Sequence, residues 1–452
     1  MHPGAKGLET AMGDRPVIPL KVASGKPSPE ALAQLDRHWR PRYLMLAPHR
    51  LGFFLAMVLL VASGAWWALV QVSRISGGVL PMHFGLSPSV MHAAVMVFGF
   101  IPLFFSGFLF TAGPKWLGVQ PWETHALRPA LVLQTAGWLL WLAGGHVDSV
   151  LALAGACVAW VGLAWMVSLF WRLVLCSEAQ DQVHARAIGA AMGVGALCLL
   201  GMCLSLVWGA QDIARVFVLT ALWGFVLVVY ATVAHRMIPF FTSNAMPFIQ
   251  VWRPFWLLWL MLGAAVFEAA AVWVEYDGPL RGPVAPVWLL VRGVLEIGVG
   301  AVLLWLAGVW GLVQSLKNRL LAMLHIGFFW LGLSFVLAGV SQFLALFFES
   351  PHMGLGALHA LTMGCLGSLM LAMVTRVSCG HSGRALVADR IAWSLFWVLQ
   401  AATVLRIAAA FPTGQEQPLL VTASLLWAGC MAVWGARLGA WYGRLRADGR
   451  PG

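Results

Sequence analysis

The stretch LHALTMGCLGSLMLAMVTRVSCGHSGRAL, residues 358–386, has a histidine towards each end and no charge between His359 and Arg376. Imidazole is a common ligand of haem iron and of copper. His359 and His381 stand 22 residues apart. At 1.5 Å per residue a helix separates them by roughly 33 Å, about the hydrocarbon thickness of a bilayer. On an unbroken helix they cannot share a metal. His92, in SPSVMHAAVMVFGF, is the better partner for His359: each is followed four residues later by a methionine, Met96 or Met363, on the same helical face. If both segments cross lipid in the same direction, the two imidazoles lie at matched depth and can hold a haem iron from opposite sides. The competing reading has each histidine bonded to a nearby carbonyl, with the methionines as packing.

A second set lies towards the other leaflet. His235 in VYATVAHRMIPFFTSNAM, His325 in LLAMLHIGFFW and His381, with Cys379 close by, could surround an inner-leaflet copper. Helix-end histidines also cap carbonyls or meet headgroups. Charges inside apolar runs are costly unless paired, so Glu296 and Arg292, one turn apart, read as an intrahelical ion pair. In a functional reading, Arg292 and Arg406 bind haem propionates and Glu268 relays protons. Arg376, His381 and Arg384 gather around glycines, where two guanidiniums could hold an anion or lipid phosphate. His83, His146 and His352 read as solvated loop residues. There is no GxxxxGK[ST], GxSxG or HExxH, so nucleotide hydrolysis, serine hydrolysis and zinc proteolysis lack support.

The elements that must position these residues follow from composition. The chain has 452 residues, 61% hydrophobic and 10% charged, with mean hydropathy +0.83. Soluble domains carry roughly 25% charged residues, so lipid surrounds most of this one. A spanning helix needs roughly 20 apolar residues. Twelve such runs occur, approximately 51–71, 88–113, 127–145, 149–171, 188–208, 213–239, 254–275, 286–313, 320–347, 354–378, 390–411 and 418–441. The expectation is an all-α integral membrane protein: residues 1–46 a flexible tail, 47–445 one domain of twelve transmembrane helices, 446–452 a C-terminal tail. Lys and Arg concentrate in the N-terminal tail, in alternate loops and at the C-terminus, which predicts both termini in the cytoplasm. The net charge of +11 is then membrane topology, and no basic stripe with stacking aromatics suggests nucleic acid. Seven cysteines, mostly in apolar runs without a CxxC, read as small buried hydrophobes.

From HWRPRYL near residue 38 to the C-terminal helix, the chain resembles the NnrS family. The most specific part is HALTMGCLGSLMLAMVTRVSCGHSGRAL, supported by FGFIPLFFSGFLFTAGPKW, RMIPFFTSNAM and LHIGFFWLGLSFVL. The resemblance implies a multi-pass protein of the bacterial inner membrane that contains haem and copper and acts in nitric oxide metabolism and nitrosative stress tolerance, often beside denitrification. His92, His325, His359 and His381 match family histidines, and Arg236, Arg376 and Arg384 match family arginines. The family pattern after the first of these is often His-x-His-Glu-Met, whereas this chain has Ala94 and Val95 at the second His and the Glu. His235 stands where many members have glycine and could add a ligand.

Three functions follow as expectations. One is a haem- and copper-containing protein of nitric oxide tolerance, with His92 and His359 as the haem pair in the outer leaflet. A second is a quinol-linked nitric oxide reductase similar to the haem–copper oxidase group, whose haem histidines lie on the second and tenth helices and a copper histidine on the sixth. This chain lacks that group's His-His pair on the seventh. The third is a transporter of a metal, haem or small anion, which predicts discontinuous helices and a midplane site.

Overall fold

The computed structural model describes residues 38–278, 280–348 and 353–449; His352 and the first part of the N-terminal tail lie outside them. Every described element is helical. Twelve helices are long and apolar enough to cross a membrane: α1 Pro48–Ile75, α2 Pro88–Leu117, α3 Thr124–Gly144, α4 Ser149–Leu175, α5 Val183–Val207, α6 Gln211–Ala245, α7 Phe255–Val274, α8 Val284–Val309, α9 Arg319–Phe347, α10 Gly356–His381, α11 Arg390–Ala408 and α12 Glu416–Tyr442. In lipid the backbone must satisfy its own hydrogen bonds, which leaves helices as the way for such runs to cross. The expected sixth helix ended at Pro239; instead α6 carries that proline inside it and continues to Ala245.

Local signals set the boundaries. Pro48 and Pro88 occupy first-turn positions, where the missing N–H costs nothing. Asp148, Asn318 and Asp389 cap α4, α9 and α11 by accepting from the backbone N–H of Val150, Leu321 and Ala392 at 3.0, 3.3 and 3.0 Å. Gly118 closes α2 in the left-handed conformation, φ 65°.

Helices meet along small residues, as they do where no hydrophobic force separates protein from lipid. A Cβ on Gly155 of α4 would lie 2.6 Å from the Gly137 carbonyl oxygen of α3, and one on Gly300 of α8 would lie 2.8 Å from the Gly332 carbonyl oxygen of α9. The even number of spans brings both chain ends to one face. There Trp39 Nε1 donates to the Gly439 carbonyl at 3.0 Å, Arg40 N to the Gly443 carbonyl at 2.7 Å and Arg50 Nη1 to the Arg444 carbonyl at 2.7 Å. This end is called the terminal face below, and the other the distal face.

Burial is uneven. The apolar window of α2 is 83% buried within the bundle, and α6, α9 and α10 follow; that of α8 is 22% buried. Three of the four most enclosed spans depart from α-helical winding: π-helical turns occupy Val95–Gly99 in α2, Leu222–Leu227 in α6 and Ala360–Gly367 in α10. Such turns cost backbone regularity and concentrate at functional sites.

Candidate functional site

The π-turns converge on one cavity of about 450 Å³ near the distal face. Met96 and Val97 from the first, Leu222 from the second, and Thr362, Met363 and Leu366 from the third all line it. His92 sits three residues before the α2 turn and His359 immediately before the α10 turn, and both imidazoles face the same cavity. The histidine–methionine repeats of the two helices therefore meet as their spacing suggested.

Each imidazole is held differently. His359 Nδ1 lies 2.9 Å from the Leu355 carbonyl, which can only accept, so Nδ1 carries the hydrogen and Nε2 is left as a Lewis base. His92 stacks on Trp67 of α1, with ring centroids 3.9 Å apart and planes 16° from parallel. Its Nδ1 is buried with no hydrogen-bond partner. An orphaned imidazole nitrogen in an apolar setting is destabilising, and a coordinated metal would remove the deficit.

The rest of the lining is divided. Towards the bundle interior it is apolar, with Phe100, Ile101 and Met370; towards the distal face come Arg74, Arg215 and Arg406. Arg406 is half-buried, whereas Arg74 and Arg215 are exposed. Arg74 also lies over the Trp67 ring at 5.3 Å. An apolar chamber with a cationic mouth suits a flat apolar ligand that bears anionic groups at one edge.

Two glutamines support the π-turns and were missed from sequence. Gln134 of α3, fully buried, donates from Nε2 to the Phe98 carbonyl inside the α2 turn. Trp141 of the same helix donates to the Met91 carbonyl at 3.2 Å. On the other side, Gln400 of α11 donates to Ser368 Oγ at 2.9 Å, directly after the α10 turn, and accepts from Trp330 Nε1 at 2.7 Å. A side-chain amide inside an apolar span was the available signal.

The remaining candidates lie elsewhere. Arg292 does not line the cavity. It is held among three carboxylates, with Nε on Glu296 Oε1 and Nη2 on Glu268 Oε2 at 2.8 Å each, and Nη1 on Glu275 at 2.6 Å. The ion pair expected with Glu296 is present, and a propionate role for Arg292 is not supported, because no donor of its guanidinium reaches the cavity. Among the described residues His235, His325 and His381 form no three-ligand group. His235 Nδ1 and His184 Nε2 share a hydrogen at 3.0 Å, His325 Nε2 pairs with Thr242 Oγ1 at 2.9 Å, and the His381 ring packs on His49 at 4.3 Å. His184 was unforeseen; its position at the start of α5, level with the end of α6, was the cue.

Two further readings change. Arg376 lies over the Phe241 ring at 4.0 Å and Arg384 over the Trp441 ring at 4.3 Å, so the two guanidiniums do not converge on an anion. His146 is engaged, accepting from Trp66 Nε1 at 2.7 Å and donating towards the His83 carbonyl at 2.8 Å.

A family model described as NnrS protein matches residues 43–446. No curated protein matches the chain.

Proposed function

The chain belongs to the NnrS family, and from that premise we propose that it is a haem-binding, multi-pass protein of the bacterial inner membrane that acts in nitric oxide metabolism. In this reading His92 and His359 would hold the haem, Arg406 with Arg74 and Arg215 would face its anionic edge, and both termini are cytoplasmic. The observation that carries it is the shared cavity: two imidazoles on separate helices, each beside a π-turn, one with its Nδ1 fixed and the other with a nitrogen orphaned. A haem bound there would supply a redox-active iron able to take nitric oxide as ligand or substrate.

What the protein's own residues do can be derived. The Leu355 carbonyl sets the His359 tautomer and raises the basicity of its free nitrogen. Trp67 fixes the plane of the His92 ring. Gln134 bonds the backbone inside the α2 turn, and Gln400 ties the Ser368 side chain directly after the α10 turn to Trp330 of α9, so the spacing between the two imidazoles is set by packed helices instead of by loops. The arginines hold negative charge at the mouth and keep it out of the apolar interior.

For copper the fit is poorer. The terminal half offers the His184–His235 pair as two donors, and no group of three His, Cys, Asp or Glu gathers among the described residues. The reading therefore rests on haem, with a membrane-dissolved quinol as its electron donor. The nitric oxide reductase analogy would bring His235 to the haem pair, yet His235 lies outside the cavity lining, bonded to His184. A transporter would have broken helices at a midplane site, whereas the described spans are continuous apart from their π-turns.

Purified protein tests this through its absorption spectrum and haem content. Wild type is expected to carry a six-coordinate haem, and His92→Ala and His359→Ala each to lose it or convert it to five-coordinate. A colourless wild type from haem-replete cells, or unchanged spectra in both variants, would overturn the proposal.

A further inference from the structure

A second cavity of about 320 Å³ opens between α7 and α8, with α9 behind it. It is a lateral groove facing lipid: Trp259 and Leu295 on its rim are 56% and 45% exposed, and α8 is the least buried span. Helices α7 and α8 touch each other far less than α8 touches α9. Phe335 of α9 contributes to the wall.

The groove is apolar except for two carboxyls, Glu268 and Glu296, each 1% exposed. Each gives one oxygen to Arg292, at 2.8 Å, and Glu275 takes Arg292 Nη1 with both of its oxygens. The guanidinium is thereby committed. Glu268 Oε1 and Glu296 Oε2 are left buried with no donor. Two carboxyl oxygens without a hydrogen-bond partner, beside one opening onto lipid, leave room for an entering donor.

A donor that enters from this side must come out of the bilayer. Glu268 lies six residues, about 9 Å, from the distal end of α7, and Glu296 twelve residues, about 18 Å, from that of α8. Half a hydrocarbon core is about 15 Å, so the carboxyls sit well below the headgroups. An ammonium headgroup would have to carry its charge down to them, which is costly. A neutral ring bearing hydroxyls meets no such barrier: its face suits the Trp259 and Phe335 walls, and its O–H groups suit the carboxylate oxygens.

We propose that the groove between α7 and α8 binds a membrane-dissolved hydroquinone, whose hydroxyl donates to the free oxygens of Glu268 and Glu296. The site draws its purpose from the redox reading above, since it would seat the electron donor, but its occupancy is measured without the haem.

The test uses wild-type protein in quinone-free lipid nanodiscs titrated with radiolabelled decylubiquinol, with empty nanodiscs subtracted. Saturable binding is expected. Glu296→Gln replaces one of the two carboxyls by an amide and should weaken it about tenfold or more. A Cβ built on Gly263 meets no atom within 4 Å, so Gly263→Phe fills the groove without straining the backbone and should abolish binding. Both variants should keep the wild-type absorption spectrum. Absence of a saturable site in wild type, or undiminished binding in Gly263→Phe, would overturn the proposal even if Glu296→Gln failed to fold. Haem loss in His92→Ala, by contrast, reports only on the first cavity.

Discussion

Replacing Arg292 by Met isolates the cost of the carboxylate cluster. The change keeps an unbranched apolar stem but removes the donors that hold Glu268, Glu275 and Glu296. Glu275 sits nearer the surface and can turn to water; Glu268 and Glu296 cannot, because both are almost fully buried. Breaking a buried ion pair from one side costs about 3–5 kcal/mol, whereas replacing the whole network by neutral groups of similar shape is close to neutral. Arg292→Met is therefore expected to lose about 3–5 kcal/mol, and the triple variant that adds Glu268→Gln and Glu296→Gln to recover most of it. Unfolding in SDS can be followed by thiol labelling, since Cys198, Cys203, Cys365, Cys379 and Cys430 are buried and become reactive only on opening. A single variant within about 1 kcal/mol of wild type would refute the reasoning. So would a triple variant as unstable as the single one, since the penalty would then come from lost packing.

The same assay serves three smaller changes. Gln134→Leu leaves the Phe98 carbonyl without its donor and should cost about 1–3 kcal/mol while broadening or shifting the haem spectrum; stability loss with an unaltered spectrum would remove its positioning role. Gly155→Leu drives a side chain into the Gly137 carbonyl and should cost at least about 1–3 kcal/mol, with Gly155→Ala intermediate, and equal stability of all three would contradict the close approach of α3 and α4. Asp389 lies outside the spans, where its bond to Arg437 holds its carboxyl below the usual carboxylate range. A depressed carboxyl stabilises above its unfolded-state pKa and loses that contribution as pH falls through the folded value. Because the pair is substantially exposed, Asp389→Asn should cost only about 0.2–1 kcal/mol at neutral pH, vanishing in acid, and a loss that grew in acid would reverse the sign.

Much of the architecture was legible in the sequence because lipid imposes one rule on every run. Pro48–Ile75 extends a few residues past the apolar window near 51–71 at both ends, and Gly356–His381 passes the window near 354–378 at its C-terminal end, since caps and interfacial residues continue the winding beyond the hydrocarbon. Depth was equally legible, and it paired His92 with His359. Azimuth was not. His235, His325 and His381 all lie in the terminal half of the bundle, yet each turns to a different neighbour, His184, Thr242 and His49. Hydropathy records how far along a helix a residue lies, and packing decides which neighbour it meets. For the same reason Arg292 read as one ion pair and proved to be the hub of three, two of which reach it from α7 and the loop after it. The π-turns were hidden altogether, because winding depends on tertiary supports such as Gln134 and Gln400, which local propensity does not encode.

The central claim, a haem clamped between His92 and His359, is tested most directly by near-infrared magnetic circular dichroism of the oxidised protein, which identifies both axial ligands at once. The account predicts a bis-imidazole signature in wild type that is absent from His92→Ala and from His359→Ala. A methionine, thiolate or single-histidine signature in wild type, or a bis-imidazole signature that survives either substitution, would contradict it.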